Sequence, residues 1–251
     1  MTVRQLAEDG DIPDILRPYA EVDRSRPPGP CWVLANMVGG LDGSAAIGGR
    51  VGALSDATDR RLFLALRSLS DIVLVGAETV RRESYGPVRQ PRGGGSGSGA
   101  RSSPPALAVV SRSLNLDWDA ALFTDVDPDA RTVIVTCGAA DPGRRARAAE
   151  VADVVVAGVE HVDLATALAE LAARGAEIVL CEGGPTLLGE LIALDLLDEL
   201  CLTLSPVVGG DPLPVAVSPA GAPLTRLQLA NSLVDAGTLY LRYQRPATAV
   251  V

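Results

Sequence analysis

From Cys31 onward, short runs of apolar residues alternate with stretches whose apolar positions recur every three or four residues. The runs at 31–38, 72–76, 106–110, 132–136, 153–157, 177–181, 199–205 and 237–243 predict strands, with a weaker one near 226–230. Several, such as Ile72-Val73-Leu74-Val75 and Ile178-Val179-Leu180, are apolar on successive rather than alternate residues. Strands of that kind are covered on both faces, as in a mostly parallel sheet between helices. Three helices are well marked. Asp56 can cap the first, with Asp59 in its opening turn and Leu62, Phe63, Leu66 and Leu69 forming an apolar stripe. Asp163 and Gly175 bracket the second, and Pro185 opens the third. The pattern is α/β, with antiparallel C-terminal strands because 199–205 and 237–243 follow long loops.

Residues 1–30 lack a sustained period and end in Arg26-Pro27-Pro28-Gly29-Pro30, so they predict an N-terminal arm. The arm is acidic and broken by Pro13 and Pro18, which is not the pattern of a signal peptide. Gly93-Gly94-Gly95-Ser96-Gly97-Ser98-Gly99 marks a flexible loop over 90–105. The GxGxxA that begins at Gly95 follows no strand and opens no helix, so it is no dinucleotide fingerprint. The expected organisation is an arm at 1–30, one domain at 31–244 and a tail at 245–251.

Composition narrows the chemistry. The 251 residues carry a net charge of −9 and a pI near 4.7, which argues against nucleic-acid or anionic-membrane partners. All 22 basic residues are arginine, so a Schiff-base lysine and a phosphate-loop lysine are excluded. His161 is the sole histidine, which excludes multi-histidine metal sites. Cys31, Cys137, Cys181 and Cys201 form no CxxC pair and sit among apolar neighbours, as reduced core residues do. No apolar run reaches the roughly 18 residues of a membrane span, and a cytoplasmic protein is expected. The acidic group Asp195, Asp198 and Glu199 reads as a solvated face or cap.

Two strand-to-helix junctions have a form suited to phosphate. In Val75-Gly76-Ala77-Glu78-Thr79-Val80 a strand ends at glycine and a short helix follows. In Cys181-Glu182-Gly183-Gly184-Pro185-Thr186-Leu187, paired glycines permit close backbone approach and Pro185 starts the helix without wasting an amide. Either alone can be a tight turn; together they suggest a diphosphate ligand. The Ser111-Arg112-Ser113 turn offers two hydroxyls and a guanidinium for a further phosphate, or simply caps its strand. The glycine-rich stretch 37–52 carries Asp42 just past a strand, as ligand-closing loops do, although Asp42-Gly43 is equally a good hairpin turn.

Asn36 to Gly43, Leu66 to Glu83 and Cys181 to Leu188 resemble the pyrimidine reductase of riboflavin biosynthesis, the C-terminal half of a bifunctional deaminase–reductase. The resemblance spans roughly 31–244, and no deaminase zinc motif is present. It implies a dihydrofolate reductase-like, three-layer α/β/α sandwich and a homodimer. It further implies NADPH-dependent reduction of a ribosylaminopyrimidine 5′-phosphate to the ribitylamino product. Carried over, NADPH would contact Val38, Gly52, Gly76, Thr79, Glu83, Ser111, Arg112, Gly183, Gly184, Pro185, Thr186 and Leu187. Asp42 and Glu182 would jointly handle the proton, and Asn36, Arg50 and Arg89 would hold the phosphorylated substrate. The chain departs from many members at Asn36, where they carry lysine, and at Gly40, where they carry serine. A dihydrofolate or pteridine reductase of the same fold and a non-catalytic NADP(H)-binding protein are the alternatives.

Overall fold

The computed structural model describes residues 17–25, 28–89, 103–127 and 130–246; the glycine-rich segment at 93–99 and most of the arm lie outside them. The strands are β1 (Trp32–Gly40), β2 (Ile72–Gly76), β3 (Ala106–Val110), β4 (Val133–Thr136), β5 (Asp153–Val156), β6 (Ile178–Cys181), β7 (Glu199–Ser205), β8 (Gln228–Asp235) and β9 (Thr238–Gln244). The helices are α1 (Arg17–Ala20), α2 (Ala57–Leu69), α3 (Ala77–Glu83), α4 (Ala121–Thr124), α5 (Pro142–Val151), α6 (Leu164–Ala173) and α7 (Pro185–Ala193). All described strands join one sheet in the order β5-β4-β3-β2-β6-β1-β7-β9-β8. Pairing is parallel from β5 through β7 and antiparallel for β7–β9 and β9–β8, as the long loops implied.

Successive apolar residues in the strands supply both faces of this sheet. Val33, Ala35, Leu74, Val179 and Cys181 face α6 and α7, whose Leu164, Leu168, Leu171, Leu187, Leu188 and Leu191 form one core. Leu34, Val73, Val75, Leu107, Val109 and Leu180 face the other way, onto Leu62, Leu66 and Leu69 of α2 and Val80 of α3. The result is three layers, α/β/α. The expected caps are present: Asp56 accepts from the Asp59 amide at 2.7 Å, and Asp163 accepts from that of Thr166 at 2.8 Å.

The differences have physical causes. Helix α5, Pro-Gly-Arg-Arg-Ala-Arg-Ala-Ala-Glu-Val, carries no periodic signal because Ala148 is its sole fully buried residue and it has no apolar stripe. Alanine and arginine propensity and the Asp141 cap on the Arg144 amide sustain it instead. β1 continues through Gly39 and Gly40, opposite Leu204 and Ser205. A Cβ at Gly39 would come within 2.8 Å of Val215, and one at Gly40 within 2.9 Å of the Val207 carbonyl. The absent serine at position 40 therefore lets the 206–217 loop lie close over β1.

In the Asp195-Asp198-Glu199 group Asp195 is exposed, but the other two are not part of a solvated face. Asp198 and Glu199 are 4% and 0% exposed. Glu199 accepts from Nε and Nη2 of Arg24, both at 2.9 Å, and from Nε1 of Trp32 at 3.0 Å. Arg24 Nη1 also donates to the Tyr19 carbonyl, so the described part of the arm is docked against the sheet. Burial pushes the Cys31 and Cys181 thiols up to about 12, consistent with core residues.

Candidate active site

The C-terminal ends of β1, β2, β3 and β6 open into one cavity of about 1320 Å³. Strands β2 and β6 are neighbours, so both glycine-bearing junctions meet there. The Gly76 amide donates to the Gly183 carbonyl at 3.0 Å, and the Gly184 amide donates to Thr79 Oγ1 at 3.1 Å. A Cβ on Gly184 would lie 2.9 Å from that hydroxyl, and Gly183 has φ +113, so side chains at either position would spoil the fit. The first bond within α7 runs from the Leu188 amide to the Gly184 carbonyl. The Thr186 and Leu187 amides are thereby left as free donors for an anion. This open backbone fits a dinucleotide's diphosphate. Ser111, Arg112, Ser113, Asp141 and His161 line the far end of the same cavity.

At the α2 side, Glu182 is the centre of a bonded group. Its carboxylate receives Arg67 Nε and Nη2, both at 2.6 Å, and the Tyr85 hydroxyl at 2.9 Å. Burial works against the Arg67 charge, but Glu182's hydrogen bonds and charge outweigh it and raise the guanidinium's pKa. Burial, then the Glu182 charge, push the Tyr85 phenol well above its usual range, so it remains a proton donor. Arg67 also stacks over Phe63, 4.1 Å from the ring centroid.

Asp59 is the other buried carboxylate of the cavity wall, 6% exposed. Thr203 Oγ1 donates to its Oδ1 at 2.7 Å and Ser55 Oγ to its Oδ2 at 2.6 Å. No guanidinium pairs with it among the described residues. Asn36, 9% exposed, lines the same cavity, and its Oδ1 has no hydrogen-bond partner among the described residues.

Most predicted site residues converge here: Asn36, Val38, Gly52, Gly76, Thr79, Glu83, Ser111, Arg112 and Glu182 through Leu187 all line the cavity. Asp42, Arg50 and Arg89 do not. Asp42 accepts from the amides of Ser44, Gly209 and Gly210 at 3.1, 2.7 and 3.3 Å, and these bonds hold its carboxyl far below the usual carboxylate range. It staples two loops, and Gly43 at φ +82 completes the hairpin turn. Asp211 returns the staple by accepting from the Gly48 and Gly49 amides. Glu83 accepts from Val51 at 3.3 Å, tying the glycine-rich loop to α3. Arg89 pairs with Asp125 outside the cavity. Arg50 closes a small turn with Ile47.

The sequence reading missed Arg67, Tyr85, Asp59 and Arg60. Asp59 carried a signal: it lies three and seven residues before Leu62 and Leu66, on the buried face of α2. Arg60 lines the cavity and has no ion pair among the described residues. Arg81 and Arg82 are engaged by the Asn115 carbonyl and Glu78.

A three-layer α/β fold that gathers paired glycines, an open helix start and a buried acid–guanidinium–phenol group in one cavity has the form of a nucleotide-dependent oxidoreductase. The family model of the RibD C-terminal domain matches residues 31–241, and the chain belongs to that family of reductases. It is 30% identical over 217 residues to the 2,5-diamino-6-ribosylamino-4(3H)-pyrimidinone 5′-phosphate reductase of Methanothermobacter thermautotrophicus, covering 84% of this chain and 97% of the relative. A pyrimidine reductase-like protein from Corynebacterium diphtheriae superposes with TM-score 0.75 at 29% identity, covering 85% and 91% of the two chains. A Thermotoga maritima protein named as deaminase and 5-amino-6-(5-phosphoribosylamino)uracil reductase shares the fold, with TM-score 0.64 at 20% identity, covering 86% and 57%. Membership implies a nicotinamide cofactor. No described helix is long and apolar enough to cross a membrane.

Proposed function

We propose that the protein is an NADPH-dependent reductase that converts a ribosylaminopyrimidine 5′-phosphate to its ribitylamino product. One observation carries this reading: the diphosphate cradle and the Glu182 group open into the same cavity. The nicotinamide cofactor supplies the hydride, which C1′ of the ring-opened substrate accepts. The free amides of Thr186 and Leu187, with Thr79, hold the diphosphate, and Val38 and Gly52 flank the nicotinamide. Ser111 and Arg112 meet the 2′-phosphate that distinguishes NADPH from NADH.

Glu182 handles the proton without Asp42. Its negative charge, fixed by Arg67, favours the protonated imine at C1′, the form most open to hydride attack. Hydride addition then gives the neutral amine with no further proton required. Arg60 takes the substrate phosphate in place of Arg50 and Arg89, because it alone of these lines the cavity. Arg60→Ala is expected to raise KM for the phosphorylated substrate about 10- to 100-fold, with kcat and NADPH affinity little changed. Steady-state NADPH oxidation checks this, and NADH is expected to be a far poorer donor. Dihydrofolate turnover at a comparable rate, indifferent to Arg60, would favour the pterin reading instead. NADPH binding with no turnover of either substrate would favour a binding protein.

The C-terminal strands support a homodimer. Leu204, Leu239 and Val234 are cross-strand neighbours, as are Leu202 and Leu241, and they share one half-covered apolar face of β7, β9 and β8. Light scattering is expected to give twice the chain mass, and Leu239→Asp with Val234→Asp to give the monomer. The working location is the cytoplasm, in keeping with the reduced cysteines.

A further inference from the structure

The first turn of α2 is held from three strands. Asp56 caps the helix with Oδ1, which accepts from the Asp59 amide at 2.7 Å. That bond serves the helix start, yet the carboxylate is engaged further. The Tyr240 hydroxyl of β9 donates to Asp56 Oδ1 and Oδ2 at 2.9 and 2.8 Å, and Thr238 of β9 donates to Oδ2 at 2.9 Å. Thr58 donates to Asp235 of β8 at 2.7 Å, and Thr203 of β7 donates to Asp59 at 2.7 Å. The sheet register brings these partners together. Thr203 lies opposite Tyr240, and Asp235 lies opposite Thr238 across the turn Ala236-Gly237. Both turn residues have positive φ, 48° and 86°, as a two-residue hairpin turn requires.

We propose that Tyr240 and Thr238 are positioning residues for the phosphorylated substrate, acting through Asp56 on the turn that carries Asp59 and Arg60 into the cavity. The substrate class is that of the reductase reading, on which this proposal rests. Neither hydroxyl residue lines the cavity, whereas Asp59 and Arg60 both do. Asp56 frames the two of them: its side chain takes the Asp59 amide, and its carbonyl takes the Arg60 amide at 3.1 Å. Stability alone does not call for these tethers. The 13-residue helix already packs through Leu62, Leu66 and Leu69, and its far end is held by Arg67 on Glu182. The tethers converge instead on the turn with the exposed arginine, whose reach depends on where its backbone is fixed. Tyr240 and Thr238 are 1% and 5% exposed, so their bonds to Asp56 are shielded from competing water. Burial works to raise the Asp56 pKa, but the Asp59 amide, Tyr240 and Thr238 together lower it below the ordinary value, which keeps the charged acceptor in place.

Steady-state kinetics of four full chains tests this: wild type, Tyr240→Phe, Arg60→Ala and the double variant. Tyr240→Phe leaves the ring in the core and removes only the hydroxyl. It is expected to raise KM for the ribosylamine phosphate about 3- to 10-fold, with kcat and the NADPH dissociation constant within about twofold of wild type. In the double variant KM is expected to rise by less than the product of the two single increases, because the side chain being positioned is gone. Thr238→Val is expected to give a smaller change in the same direction, and it decides the matter where Tyr240→Phe does not fold. An unchanged KM in both hydroxyl variants overturns the proposal. So do parallel losses of kcat and of substrate and NADPH binding, or fully multiplicative increases in the double variant. Where the wild type turns over no ribosylamine phosphate, the reductase reading falls. Calorimetric titration of the same four proteins with ribose 5-phosphate then reads the positioning role by the same rule.

Discussion

Glu182→Gln is expected to lower kcat by about 10²- to 10³-fold while leaving the dissociation constant for NADPH within a few-fold of wild type. The carboxamide keeps the shape of the side chain but removes the charge on which the site is built. Arg67 then loses both bonds to a charged acceptor, now held at 2.6 Å, and Tyr85 loses a charged acceptor at 2.9 Å. An uncompensated guanidinium in a largely buried position also favours the neutral imine over the protonated one, which opposes hydride addition. In the proposed reading backbone amides of Thr186 and Leu187 hold the diphosphate, so cofactor affinity is expected to survive. Single-turnover NADPH oxidation beside equilibrium NADPH binding separates the two effects. A variant that turns over at the wild-type rate would remove Glu182 from the chemistry.

The second large effect is on stability. Glu199→Ala is expected to destabilise the fold by about 3–5 kcal/mol, because it leaves Arg24 buried without its counter-ion. Arg242, whose Nη1 lies 3.8 Å from Glu199, and the Trp32 indole lose the same carboxylate. Glu199 opens β7, opposite Leu34 and away from the strand ends that form the cavity, so activity per folded molecule is expected to hold. Urea unfolding reads the loss. Replacing Arg24 and Glu199 together by apolar residues is expected to cost much less, since no unpaired charge remains. A loss below about 1 kcal/mol for Glu199→Ala would mean that this cluster does not anchor the arm as argued.

The sheet was legible because its strands are apolar on successive residues, as in Ile72–Gly76 and Ile178–Cys181. The two glycine-bearing junctions are legible because a strand, glycine and a helix start lie within one stretch of sequence. The Arg67–Glu182–Tyr85 group is not, because its members come from separate elements. Arg67 sits on α2, Tyr85 follows α3, and Glu182 follows β6; no local pattern joins them. Asp59 reads as a first-turn acid, although its spacing to Leu62 and Leu66 places it on the buried face. Asp42 misled for the opposite reason: its position past β1 is equally that of a hairpin turn, and its carboxylate is consumed by the amides of Ser44, Gly209 and Gly210. The Arg24–Glu199 contact spans 175 residues and cannot be read from periodicity.

In the proposed reaction this cavity brings hydride to C1′ of a phosphorylated ribosylaminopyrimidine. The most direct measurement is the fate of deuterium from NADPH labelled at C4 of the nicotinamide, followed by mass spectrometry and NMR of the pyrimidine product. One deuterium at C1′ of a ribitylamino chain, appearing about 10²- to 10³-fold more slowly in Glu182→Gln, is the predicted result. Cofactor oxidation without deuterium at C1′, or no oxidation in the presence of bound NADPH and substrate, would contradict it.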